Sequence, residues 1–170
     1  LEVRVKPKGL SVRHRVGYMD IPLAERIDSR TLAAAIHGVA DNPLEISAAT
    51  IGDIVRREDG TYLVPVIVTV PIDQLVLIPS ADEHQGRISI HLLVRDWRGD
   101  LSPPMRREYP VAIPNASLIG ALGQSAGFTV RLAVRSGRQR IAVGLRDEVS
   151  HAESVTVLDV DVGLADGAEG

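Results

Sequence analysis

Three sets of residues in this sequence have the types and spacing for chemistry. Gly123-Gln124-Ser125-Ala126-Gly127 fits the G-x-S-x-G phrase that presents a serine nucleophile, and Asp147 and His151 follow in the Ser, Asp, His order of that hydrolase class. Such a serine needs a base to take its proton and a carboxylate to orient the base. The flanking pattern points elsewhere, because the elbow requires a strand before the serine and a helix after it. Here a helical turn precedes Ser125 and an alternating strand follows it, so the glycines read as the end of a helix and the start of a strand. No catalytic residue is expected, and a hydrolase built on Ser125 ranks last of three functional readings.

The second set is basic. From residue 87 to 146 there are ten Arg against Asp96, Asp100 and Glu108, whereas residues 147–170 hold seven acids and no base. Arg87, Arg95, Arg131, Arg135, Arg138 and Arg140 would form a stripe for an acidic or glycan ligand if they shared one sheet face. The competing reading pairs an acidic last strand with basic strands, so that the charges offset one another on a solvated face. Nucleic acid is not expected as a partner, since only Trp97 and Phe128 lie near the stripe to stack on bases.

The third set is metal-ligand types. His14, His37, His84, His91 and His151 are scattered, with no H-E-x-x-H and no i, i+4 pair. Asp82-Glu83-His84 and Asp159-x-Asp161 would need further oxygens, because calcium takes about 6 to 8 ligands. The sequence contains no phosphate-binding G-x-x-x-x-G-K-[ST] loop, and no metal or cofactor is expected. Arg98-Gly99-Asp100 matches a receptor-binding tripeptide, and Asn115-Ala116-Ser117 matches a glycosylation acceptor; each also supplies ordinary turn residues.

The elements that must position these residues are mostly strands. Residues 3–6 and 11–15 read as extended pieces around Pro7-Lys8-Gly9. Ser29 is expected to cap a helix over 30–37, with Gly38 ending it and Leu32 and Ile36 forming its sticky face. Asp41-Asn42-Pro43 marks the expected domain boundary. Strands are expected over 44–57 and 61–70 around Asp59-Gly60, with Pro65 marking an edge or a bulge. The run 75–78 reads as a strand or a crossing between sheets. Alternation is cleanest at Ile88, Ile90, Leu92 and Val94 and at Phe128, Val130, Leu132 and Val134, with Arg87, Ser89, His91 and Arg95 and then Thr129, Arg131, Ala133 and Arg135 turned outward. Further strands are expected over 109–113, over 138–146 after a two-residue turn at Ser136-Gly137, and around Leu158, Val160 and Val162. A helical turn fits 116–122.

With 170 residues, 45% of them hydrophobic and 24% charged, the chain has material for one core plus an appendage. Only 3% are aromatic, so Val, Leu, Ile and Ala must build that core. No apolar run approaches the roughly 18 residues of a membrane span, and no membrane insertion is expected. Zero cysteines exclude disulfides and leave the redox compartment open. Opening at Leu1 without a basic-then-apolar leader, the sequence reads as a fragment or processed product.

The stretch Glu2-Val3-Arg4-Val5-Lys6-Pro7-Lys8-Gly9-Leu10-Ser11-Val12-Arg13-His14-Arg15-Val16-Gly17-Tyr18 resembles the end of the von Willebrand factor A-like domain in secreted bacterial VWFA-related proteins, best represented in acidobacteria. Asn42-Pro43-Leu44, Tyr62-Leu63-Val64-Pro65-Val66, Ser102-Pro103, Leu122-Gly123-Gln124 and Val143-Gly144-Leu145-Arg146-Asp147 are similar to the region that follows that domain. The resemblance implies an accessory β-sandwich behind an A domain in an exported, extracytoplasmic protein. The family's metal-binding D-x-S-x-S phrase belongs to the A domain, and Asp28-Ser29-Arg30-Thr31 does not fit it, so no metal residue carries over.

The expected fold is mainly β: an immunoglobulin-like or fibronectin-type antiparallel sandwich over 44–163, preceded by an arm over 1–43 and followed by a flexible tail over 164–170. The expected function is a noncatalytic structural or protein–protein interaction module, partnered by an upstream domain or another protein. A binder of acidic or glycan ligands through the arginine face is the alternative.

Overall fold

The computed structural model describes residues 23–163. Helix α1 (Leu23–His37) is followed by strands β1 (Ser47–Thr50), β2 (Val55–Arg56), β3 (Tyr62–Pro71), β4 (Ile78–Pro79), β5 (Glu83–Asp96) and β6 (Met105–Pro114). A short helix α2 (Leu118–Ala121) leads to β7 (Ser125–Val134), β8 (Gly137–Asp147) and β9 (Glu153–Val162). The extended pieces expected over 3–6 and 11–15, and the tail over 164–170, lie outside the described residues.

All strand pairs are antiparallel. One four-stranded sheet pairs β7 with β3, and β3 in turn with β1 and β2; a five-stranded sheet runs β6, β5, β8, β9, with β4 beside the start of β5. The mainly β, two-sheet sandwich expected from the alternation is therefore the observed architecture. Its core is the even-numbered face of β3, where Val64, Val66, Val68 and Val70 are all at 0% exposure, packed with Ile88, Ile90, Leu92, Ile141, Val143 and Leu145 from the other sheet. Each such side chain contributes roughly 1.5–3 kcal/mol on leaving water, so an aliphatic core of this size needs few aromatics.

Several local expectations are corrected. The single strand over 44–57 is two strands, β1 and β2, separated by a detour at residues 51–54. That detour accounts for Pro65, which lies in the inner strand β3 and not at an edge. Ile51 N donates to Pro65 O at 3.0 Å, so Pro65 turns its backbone toward the detour, where no ladder acceptor lacks an N–H. Residues 75–77 cross between the sheets, and Ile78 begins β4. The turn at Ser136-Gly137 joins no hairpin: β7 pairs with β3 and β8 with β5 and β9, so it is a corner between sheets. Gly137 makes that corner at φ +103°, with the Trp97 ring against its Cα.

The helix is corrected most. It begins before Ser29, which lies within it and does not cap it, and it ends at His37 before Gly38 as expected. Leu32 and Ile36 are not its buried face, being 38% and 39% exposed. Ile27, Thr31, Ala34 and Ala35, at i, i+4, i+7 and i+8, pack on Leu93, Ala142 and Val155 of the outer face of the β5/β8/β9 sheet. Gly144 makes the seat, because a Cβ there would overlap Thr31 Oγ1 and press on Ile27. The outward faces of the two sheets are therefore unlike: one is wet, and the other carries a helix.

Candidate functional site

Beneath α1, side chains expected to face water are buried. Ser89 and His91 lie two apart on β5 and so on one face, which α1 covers; their exposures are 0% and 2%. From α1, Asp28 Oδ1 meets His91 Nδ1 at 2.6 Å, and His91 Nε2 lies 3.2 Å from Ser89 Oγ. The order Asp, His, Ser is that of a hydrolytic triad. The proton runs the other way, however: Ser89 Oγ donates to Glu148 Oε1 at 2.5 Å, which leaves its lone pairs, and not its hydrogen, for His91. A nucleophile must surrender its proton to the histidine and meet a substrate atom, and the sealed Ser89 does neither.

The network continues along the sheet. Arg146, opposite Ser89 on β8, is buried and donates through Nη2 to His151 Nδ1 at 2.8 Å; its Nε lies 3.7 Å from Glu148 Oε2. Glu153 on β9 is buried beside it and takes a 3.0 Å bond from Arg30 Nη1 on α1, while Arg30 Nη2 holds Asp41. Asp41 and Val155 exchange backbone hydrogen bonds, and Leu44 N donates to Ser154 Oγ at 2.7 Å. Polar groups hidden from water are costly unless bonded, so these contacts hold α1 and the chain after it in one position on the sheet. Arg146 Nε and Glu153 Oε1 have no hydrogen-bond partner among the described residues. Next to His91 an apolar groove of about 370 Å³ opens between α1 and the β5–β6 loop, lined by Asp28, Leu32, Leu93, Leu101 and Pro104.

Ser125, Asp147 and His151 are not assembled. Ser125 is exposed at the start of β7 opposite Pro71, in the other sheet from Asp147. Asp147 is buried and accepts from Val149 N, Val76 N and Ser150 Oγ, each at 2.8 Å, as a turn-forming carboxylate. His151, at φ +61°, faces Arg146.

The arginine stripe is dispersed. Arg131 lies on β7 and Arg135 just beyond its end, whereas Arg87, Arg95, Arg138 and Arg140 belong to β5 and β8 in the other sheet. Arg87 and Arg95 are eight residues apart on β5, about 26 Å by strand rise, with the buried His91 between them. Only Arg95, Arg138 and Arg140 come together, Arg95 directly opposite Arg140 and both β8 arginines beside Asp159 of β9. Arg140 grips Asp159 with bonds of 2.9 and 3.3 Å, which hold the Asp159 carboxyl below the usual carboxylate range and raise the guanidinium. Arg135 stands 3.5 Å from Asp100 and 3.7 Å from Asp96. The acidic last strand beside basic ones, with charges offset across the ladder, is what the register shows.

The remaining motifs occupy turns. Asp96 carboxylate accepts from Arg98 N and Asp100 N, closing the loop that carries Arg98-Gly99-Asp100, with Arg98 stacked 4.9 Å over Trp97. Asn115 is bonded to His84 Nδ1 and Ala81 O, and Glu83 to Gln85. No group of three or more metal-ligand side chains gathers among the described residues, and no helix there is long and apolar enough to cross a membrane.

The buried network gives little sequence signal, since its members come from α1, β5, β8, the β8–β9 turn and β9. The one available cue is a histidine on the outward register of a strand two residues from a serine.

No family model and no curated protein matches the chain. Among solved structures, a Bacteroides uniformis beta-glucuronidase is 9% identical with a TM-score of 0.44, over 69% of this chain and 13% of that one. Beta-glucuronidase 2 of the same organism, covalently bound to cyclophellitol-6-carboxylate aziridine, is 8% identical with a TM-score of 0.40 over the same shares. A Northeast Structural Genomics Consortium target is 12% identical with a TM-score of 0.43, over 77% of this chain and 96% of its own. The chain thus spans about an eighth of the two glucuronidases.

Proposed function

We propose that this chain is a noncatalytic structural and protein-interaction module of a larger exported protein, accessory to an A-like domain that precedes it. The observation that carries the reading is the seating of α1: Ile27, Ala34 and Ala35 on the sheet, and Asp28 and Arg30 on His91 and Glu153. A chain arriving from the N-terminal side through such a helix is held in a fixed direction, as an accessory domain requires of its connection. The closest acid–base set is turned inward beneath the same helix, which suits a support more than a reaction site. The dispersal of the six arginines removes the support that a shared basic face would have lent to an acidic or glycan ligand.

Thermal unfolding of the chain alone and joined to the segment encoded upstream tests this, because docking that favours the folded state raises its apparent stability. One shared, raised transition is expected. Two unshifted transitions would overturn the accessory role, and labelling of Ser89 or Ser125 in the folded chain by a serine-reactive phosphonate would overturn the noncatalytic one.

A further inference from the structure

Four groups beneath α1 form a row from helix to sheet: Asp28 on α1, His91 and Ser89 on β5, and Glu148 in the turn after β8. Its three gaps are 2.6 Å from Asp28 Oδ1 to His91 Nδ1, 3.2 Å from His91 Nε2 to Ser89 Oγ, and 2.5 Å from Ser89 Oγ to Glu148 Oε1. Each is a hydrogen-bond distance, so each needs one hydrogen. A carboxylate has none to give, a serine hydroxyl has one, and an imidazole has one when neutral and two when charged. Because carboxylates stand at both ends, the three hydrogens must come from the two groups between them. Ser89 supplies one, and only the imidazolium form of His91 supplies the other two.

A neutral ring leaves one gap short. With its hydrogen on Nδ1, Nε2 faces a Ser89 oxygen whose proton is already given to Glu148. With its hydrogen on Nε2, Nδ1 and the Asp28 carboxylate meet lone pair to lone pair. Turning the Ser89 hydroxyl toward His91 only moves the deficit to the 2.5 Å contact with Glu148. His91 and Ser89, at 2% and 0% exposure, lie too deep for solvent to make good the loss.

The charges around the ring agree with this count. Facing it are Asp28 from α1, Glu148 from the turn, and Arg106 of β6, directly opposite His91, whose Nη2 lies 2.8 Å from Glu108 and 3.7 Å from Glu148. On β8, Gly144 lies opposite His91 and Arg146 opposite Ser89, with Arg146 Nε 3.7 Å from Glu148 Oε2. Glu108 and Glu148 thus match the two guanidinium groups, which leaves Asp28 to the ring. His151 has the reverse demand, since it accepts from Arg146 Nη2 at Nδ1 and must keep that nitrogen bare.

We propose that His91 is held as the imidazolium and that its second proton latches α1 to the sheet, making the seat of the helix sensitive to pH. A proton bound more tightly by the folded chain than by the unfolded one adds stability in full below about pH 6.5, the ordinary histidine value, and that stability is lost as pH rises beyond it. The latch goes beyond the accessory role and does not rest on it, since it acts within this chain.

Nitrogen-edited NMR of the histidine rings in the full wild-type chain at about pH 6.5 tests the proton count, because a bare ring nitrogen resonates far from a protonated one. His91 is expected to carry hydrogen on both nitrogens. A His91 with one bare nitrogen would overturn the proposal, and if that nitrogen is Nδ1 the proton belongs to Asp28. Urea unfolding supplies the second test. The unfolding constant of the wild type relative to His91→Gln should fall about tenfold between about pH 8 and about pH 5.5. Asp28→Asn, at a half-exposed position, should abolish most of that fall, because its amide brings the missing hydrogen to a neutral ring. A ratio of wild type to His91→Gln that stays constant across the range would overturn the latch. The ring spectrum needs no variant and decides the matter even where His91→Gln does not fold.

Discussion

The outward faces of β5 and β7 carry nearly the same pattern and meet opposite fates. On β5 the outward residues Ser89, His91 and Leu93 are buried; on β7 the outward residues Thr129, Arg131 and Ala133 are exposed. The strands themselves do not make the difference. Beside β5 lies β8 with Ala142 and Gly144, a shallow seat into which Ile27, Thr31, Ala34 and Ala35 of α1 descend. Beside β7 on its one paired side lies β3, whose Ile67 and Thr69 fill the space over Gly127 and leave no comparable seat. A half-buried strand pattern therefore fixes which residues enter the sandwich and leaves open what covers the other side.

Ways to break that comparison follow from the covered face outward. The largest expected effect is Ile27→Ala, which removes a fully buried side chain under α1 and should cost about 3 kcal/mol in urea unfolding. Leu32→Ala, on the exposed side of the same helix, should cost about 0.5 kcal/mol or less. Equal losses would mean that the helix faces the sheet otherwise. Next comes His91→Ala, which strips Asp28 and Ser89 of their shared partner and leaves Ser89 and Glu148 in a hole; about 2 kcal/mol is expected. Arg131→Ala on the bare face should fall within about 0.5 kcal/mol of wild type.

A further small effect sharpens the comparison through charge. The carboxyl of Asp159 is held below its ordinary value of 3.8, first by its hydrogen bond from Arg140 and then by the charges of Arg140 and Arg138. A depressed folded-state value means stability that is present above the unfolded value and is lost as pH falls below it toward the folded one. Unfolding titrations between pH 5 and about pH 2 should show that loss in the wild type and less of it in Asp159→Asn. With both side chains about a third exposed, solvent screening keeps it under about 1 kcal/mol.

Much of the fold was legible because its signals are local. The period of two in β5, β7 and β8 identifies Ile88, Val130 and Ile141 as core without knowledge of any partner, and Asp59-Gly60 marks the β2–β3 hairpin through backbone preference alone. The misreadings share one cause. Ser136-Gly137 looks like a hairpin turn, yet which strand β8 pairs with is decided by packing across the sandwich. Ser29 looks like a cap, yet the helix continues through it once Ile27 is anchored on Leu93 and Val155. Six arginines look like a stripe, yet the division into two sheets scatters them.

The sequence by itself thus determined the strand pattern, the two-sheet class and the opposition of acidic and basic strands, all carried by neighbours a few residues apart. Only the tertiary structure decided that Asp28, His91, Ser89 and Glu148 meet beneath a helix and that, among the described residues, β7 pairs with β3 alone. Those outcomes depend on contacts between distant segments, as in the pair of Asp28 and His91, 63 residues apart. No periodicity encodes such contacts; they form where small side chains on one element let another approach.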